Sequence, residues 1–163
     1  PDAQAPCKHL CQSFTQGSLT DYDTVYRFGK ACDLITIEIE NVNTAALRQL
    51  VSEGCKVYPD PELIELIQDK GLQKQFYQSH RIPSPDFFII DRRDQISRFT
   101  AYFPFFQKLR KGGYDGRGVV ALKSPDALDQ AFDAPSVLER SVAVFSALTA
   151  GRILLRAHFD PLL

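Results

Sequence analysis

Methionine and tryptophan are both absent from the 163 residues, and histidine occurs only three times. The missing methionine extends to position 1, so the chain is expected to begin inside a longer reading frame. His9, His80 and His158 are scattered, which argues against a histidine-based metal centre. Cysteine is also sparse. Cys7 and Cys11 stand four apart, but Cys32 and Cys55 form no second close pair, and zinc spacing is not met. Free thiols in a reducing compartment are expected, with Cys32 and Cys55 buried near strand starts. No apolar run is long enough to span a membrane, and the opening residues show no signal-peptide pattern. A net charge of -1 argues against a nucleic-acid binder driven by overall charge, while leaving room for local phosphate sites. Repeats and low-complexity tracts are absent.

What remains is an ordinary globular composition, 44% hydrophobic and 24% charged, long enough to bury a core in one domain or two small ones. Residues 1–18 read as a polar loop. A helix follows within residues 19–32, capped by Thr20 or Asp21. Residues 33–40, DLITIEIE, alternate with period two and predict a strand carrying Glu38, with Glu40 at its C-terminal end. After a turn, residues 44–53 predict a helix stopped by Gly54, and residues 56–58 a short strand. Strand, helix and strand in so short a span imply a parallel βαβ unit, whose ligands gather at C-terminal strand ends. Glu40 lies at such an end, where it reads either as a site acid or as a solvated one.

Asp60 and Pro61 open the next helix, and Gly71 breaks it. Asp69 then caps a second helix whose apolar residues are Leu72, Phe76 and Tyr77. Lys70 falls in that helix's first turn, where the dipole disfavours a cation unless an anion faces it. Residues 82–85, Ile-Pro-Ser-Pro, are extended and suggest a boundary between two modules. Beyond them, strands are expected at 87–90, 103–108, 119–123 and 136–139. Helices are expected at 94–102 and from Ser124 through Phe132. Residues 140–163 show no clear period.

The densest signal is the stretch 107–119, QKLRKGGYDGRGV. Lys108, Arg110, Lys111 and Arg117 surround its glycines, and Asp115 is the single acid. Flanking strands make it a hairpin tip. Bare backbone N–H groups beside this much positive charge suit a phosphate, and Asp-Gly equally suits a plain surface turn.

Three stretches together carry a family resemblance: TIEIENVN at 36–43, VYPDPELIELIQDKGLQKQ at 57–75 and KLRKGGYDGRGV at 108–119. They resemble N5-carboxyaminoimidazole ribonucleotide synthetase, the ATPase component of phosphoribosylaminoimidazole carboxylase, over about residues 19–139. The resemblance implies an α/β ATP-grasp fragment. A Rossmann-like pre-ATP-grasp domain with linking helices would occupy 1–81. The small ATP-grasp subdomain would occupy 82–139, and 140–163 would begin the large subdomain or form an irregular tail. It further implies a cytoplasmic ligase of purine biosynthesis, a homodimer at full length. That enzyme uses ATP and bicarbonate to carboxylate aminoimidazole ribonucleotide through carboxyphosphate.

Residue by residue, Lys70 and Lys108 look like nucleotide-contacting cations. Gly113, Tyr114, Asp115, Gly116, Arg117, Gly118 and Val119 look like the flap over the triphosphate. Tyr114 and Arg117 would also reach the ribonucleotide, and Arg117 and Glu40 would serve the chemistry. Glu40 matches the acid on the substrate side, and Glu139 looks like the start of the hinge that reads adenine. The family's opening strand and glycine-rich turn are absent here. Its Mg²⁺ ligands are expected in a C-terminal part that this chain lacks, so the chain alone is expected not to turn over. Other ATP-grasp ligases remain open, such as glycinamide ribonucleotide ligase or a biotin-carboxylase-like enzyme. So does a non-catalytic nucleotide-binding module.

Overall fold

The computed structural model describes residues 4–113 and 117–140. Tyr114, Asp115, Gly116 and the segment 141–163 lie outside the described residues. The chain divides between Asp69 and Lys70 into two compact units.

In the first unit, helix α1 (Tyr22–Lys30) starts where the Asp21 carboxylate accepts from the Thr24 N–H at 2.8 Å. Helix α2 (Thr44–Ser52) starts the same way at Asn43, which accepts from the Ala46 N–H. Such caps stabilise a helix by about 1 kcal/mol each. Gly54 then reverses the chain with φ +89°, a conformation that suits glycine. Strands β1 (Leu34–Thr36) and β2 (Lys56–Tyr58) pair in parallel, Ile35 opposite Val57, which is the expected βαβ arrangement. Helix α3 (Pro61–Gln68) begins at the expected Asp60 cap. The apolar faces of all these elements meet in one core of Val25, Ile35, Val42, Ala46, Leu47, Leu50, Val57 and Ile64.

The predicted strand over 33–40 is much shorter than its alternation suggested. It ends at Thr36, and only the Ile37 N–H extends the pairing, to the Tyr58 carbonyl. The partner strand stops at Pro59, which has no N–H to offer a ladder. Glu38 and Glu40 therefore sit on an exposed bend rather than in a strand. The Gln68 side chain closes this bend by donating to the carbonyls of Glu40 and Val42. Cys11, Cys32 and Cys55 are free thiols; Cys11 is exposed, and Cys32 and Cys55 are half-buried against the core, less covered than expected.

The second unit begins with helix α4 (Lys70–Ser79). Strands β3 (Phe87–Ile90), β4 (Phe105–Leu109), β5 (Val119–Leu122) and β6 (Ser136–Arg140) form an antiparallel sheet in the order β3-β6-β4-β5. One sheet face carries Ile90, Phe105, Leu122 and Leu138, packed with Ile96 and Ala131 from the connecting segments. Those connections, Arg93–Tyr102 and Pro125–Gln130, are 3-10 turns rather than the expected helices. Phe99 leaves helical geometry within the first, and its ring stacks on Phe88 at 4.3 Å. Gln107 is buried on the same face, its amide bonded to the backbone of Phe132 and to Ser136.

Gly29 is the tightest point of the first core. A Cβ added there would lie 2.3 Å from Leu50 Cδ1 and 2.8 Å from Ile35 Cδ1. Helix propensity alone favours Gly29→Ala by about 1 kcal/mol. Overpacking opposes it by roughly 1–3 kcal/mol and should win, because both neighbours are themselves buried. Gly29→Ala is therefore expected to lower the midpoint of urea unfolding, and a raised midpoint would contradict this packing.

Candidate functional site

The second face of the four-stranded sheet is not apolar throughout. Glu139, in the interior strand β6, is paired with Phe87 on one side and Phe106 on the other. Side chains alternate along a strand, so Glu139 shares a face with Phe106 and Lys108 of β4. Lys108 lies diagonally across and ion-pairs with Glu139 Oε2. Helix α4 packs against β6 on this face and brings Lys74 to Glu139 Oε1. Lys74 Nζ also donates to Ser84 Oγ at 2.6 Å. Glu139 is 7% exposed and Lys74 8%. A carboxylate so enclosed needs full pairing, because an uncompensated buried ion is severely destabilising. Burial pushes the Glu139 carboxyl upward, but hydrogen bonds and charge from Lys108 and Lys74 outweigh it. The group is held below the ordinary carboxylate range.

The β4–β5 hairpin rises from the same sheet, with Lys108 opposite Val119. Its neck is fixed by the Leu109 N–H on the Gly118 carbonyl and the Arg110 N–H on the Pro135 carbonyl. Gly112 and Gly118 both take positive φ, and a Cβ on Gly113 would come within 2.8 Å of the Arg117 carbonyl. These glycines therefore carry conformations and clearances that side chains would disturb. Helix α4 grips the hairpin at two points. The Lys70 N–H donates to the Arg110 carbonyl, and Lys70 Nζ donates to the Gly113 carbonyl at 3.1 Å. Lys70, placed by its helix turn against the dipole, thus meets a carbonyl oxygen.

Lys70, Lys108, Gly113, Arg117, Gly118, Val119 and Glu139 all belong to this second unit. Tyr114, Asp115 and Gly116, at the tip, lie outside the described residues. Glu40 belongs to the first unit. Both oxygens of the Glu139 side chain are engaged by lysines, and its backbone lies within the sheet.

Lys74 is the residue that sequence reasoning missed. Leu72 and Phe76 suggested the packed face of α4, yet they are 39% and 36% exposed, and Gly71 and Lys74 are buried instead. The signal was present in the spacing: Gly71 and Lys74 are three apart and share a helix face. What concealed it is that this face packs on an acid. Chemically, the arrangement sets Lys70 and Lys108 at the base of a glycine hairpin that also carries Arg110, Lys111 and Arg117. That suits an extended polyanion approached by backbone N–H groups.

Known proteins resemble this chain in both units. Residues 1–68 match the ribonucleotide synthetase preATP-grasp domain, and residues 75–148 match the ATP-grasp domain. Phosphoribosylaminoimidazole carboxylase of Schizosaccharomyces pombe is 33% identical over 148 residues, spanning 86% of this chain and 27% of that protein. Along most of its length the chain is similar to the N5-carboxyaminoimidazole ribonucleotide synthetases. Among solved members, the carboxyaminoimidazole ribonucleotide synthase of Aspergillus clavatus complexed with ATP superposes with a TM-score of 0.77 at 28% identity. That match covers 86% of this chain and 39% of the other. The N5-carboxyaminoimidazole synthase of the same organism, in complex with ADP and aminoimidazole ribonucleotide, gives a TM-score of 0.71 at 27% identity, covering 85% and 38%. This chain therefore spans roughly a quarter to two fifths of these synthetase relatives. Among the described residues, no group of three or more His, Cys, Asp or Glu side chains is placed to hold a metal ion. The Mg²⁺ that the resemblance implies finds no fitting ligand set among them.

The Glu139 carboxyl is depressed in the folded state, so its stabilising contribution is complete above the ordinary carboxylate range. It is lost as the pH falls through the folded value. Glu139→Gln is expected to lower stability at neutral pH and to flatten the acid limb of the unfolding curve. An acid limb as steep as the unmodified protein's would show that Glu139 is not held this way.

Proposed function

We propose that the protein containing this chain uses ATP and bicarbonate to form carboxyphosphate, then carboxylates 5-aminoimidazole ribonucleotide. The amine of the ribonucleotide attacks the carboxyl carbon of carboxyphosphate and phosphate leaves, giving N5-carboxyaminoimidazole ribonucleotide. ADP is released from the first step. The observation that carries the reading is the glycine hairpin anchored to Lys70 and flanked by Lys108, in a chain whose relatives are solved with ATP, ADP and this ribonucleotide.

In this reading Lys70 and Lys108 bind phosphate oxygens, and residues 113–119 close over the triphosphate. Covering that intermediate matters because carboxyphosphate is labile to water. Cations held in place where charge is transferred stabilise it without reorganising. Tyr114 and Arg117 turn to the ribonucleotide, Glu40 serves its side of the site, and the strand ending at Glu139 leads into the adenine hinge. The chain would supply the pre-ATP-grasp domain with its linking helices over 1–81. The flap-bearing subdomain would occupy 82–139, and 140–163 would begin the larger one. Metal ligands would come from elsewhere in the full-length protein, which would work as a cytoplasmic homodimer.

Three measurements on the full-length protein test this. ADP release should be stimulated by aminoimidazole ribonucleotide with bicarbonate and not by glycinamide ribonucleotide; the reverse preference would reassign the enzyme. Lys108→Ala removes a charge-assisted contact worth roughly 1.5–3 kcal/mol, so ATP affinity should fall by about ten- to a hundredfold. Unchanged affinity would remove Lys108 from the site. Arg117→Ala should raise the KM for the ribonucleotide more than that for ATP, and an effect on ATP alone would mean that Arg117 serves the nucleotide.

A further inference from the structure

One carboxylate, Glu139, is shared by two lysines that differ in kind. Lys74 is buried, carried on a helix, and fixed by a second bond to Ser84 Oγ. Lys108 is about one third exposed along its side chain and stands at the base of the glycine hairpin. Glu139 cannot lose all its partners without a large penalty, because it lies inside the protein. If Lys108 were its sole cation, Lys108 would be retained by that demand. With Lys74 permanently on the other oxygen, Glu139 stays neutralised when Lys108 turns away.

We propose that Lys74 is a positioning residue for nucleotide binding: it holds Glu139 so that Lys108 can exchange the carboxylate for a phosphate oxygen. Lys74 itself touches no nucleotide. Its effect reaches the ligand through one shared carboxylate, by changing how tightly that carboxylate retains Lys108. The inference rests on the ATP reading above and adds to it a residue that the charge pattern does not single out.

The test uses full-length protein, with ATP affinity measured by calorimetry and folding followed by circular dichroism. Lys74→Met is expected to weaken ATP binding by roughly tenfold or more, the size of one lost charge-pair coupling. Adding Glu139→Gln removes the carboxylate that retains Lys108, so the double variant should bind ATP about threefold or more tighter than Lys74→Met alone. A purely structural Lys74 would give no such recovery. If unmodified protein does not bind ATP, the ATP reading falls and this inference with it. If unmodified protein binds ATP and Lys74→Met binds it equally well, the inference alone falls. If Lys74→Met is weakened and the double variant remains as weak, Lys74 is only a structural support and the inference again falls. Should Lys74→Met not fold, the double variant decides: measurable ATP binding supports the exchange, and lost binding overturns it.

Discussion

The second unit depends on one buried carboxylate. Glu139 occupies an interior strand, where β3 and β4 flank it and helix α4 covers it. Removing one partner from such a group typically costs about 3–5 kcal/mol, comparable to a large share of a small unit's stability. That penalty ties three elements to one another. Helix α4 must present Lys74, β4 must keep the register that sets Lys108 diagonal to Glu139, and β6 must lie between β3 and β4. The strand order is thus not only a packing solution for the apolar face. It is also what lets a helix and a strand satisfy one acid from opposite sides.

The same arrangement sets the local charge. Lys74 and Lys108 together exceed the single negative charge of Glu139, and Lys70 stands on the same helix one turn before Lys74. The excess lies toward the β4–β5 hairpin, where Arg110, Lys111 and Arg117 add to it. Concentrated positive charge destabilises an empty site, and a polyanionic ligand relieves it. Among the described residues, the Gly113 carbonyl accepts from Lys70 and the Glu139 carboxylate pairs with Lys108. Both are hydrogen-bond acceptors, as phosphate oxygens are.

Much of this was legible in the sequence, for physical reasons that differ by element. The caps at Asp21 and Asp60 were readable because capping is local, needing only a side-chain oxygen and a nearby N–H. The hairpin was readable because glycines between two strand-like runs leave few alternatives. Residues 33–40 misled because alternation reports which residues could share a face, while a strand also needs a partner of equal length. Tyr58 is the last partner β1 has before Pro59. Arg93–Tyr102 misled for the same kind of reason: its spacing is helical, but the aromatic packing of Phe99 on Phe88 takes precedence over continuous turns. The candidate site was half legible. Charges in the hairpin advertised themselves, whereas Lys74 looked like any solvated helix lysine, since its partner lies 65 residues away.

A buried ionic cluster is seldom the most stable choice, since well-packed apolar residues of similar volume often do as well or better. Here the alternative was close at hand. The opposite face of the same sheet is packed with Phe105, Leu122, Leu138 and Ile90, so this fold readily accommodates an apolar face. One face is closed mainly by apolar packing, while the other carries a buried ion cluster among apolar neighbours such as Val137 and Phe106. Stability alone does not account for the difference. On the ATP reading proposed above, delivering a partly exposed lysine to the base of a glycine hairpin would account for it, because an apolar trio would leave no cation there to meet a phosphate.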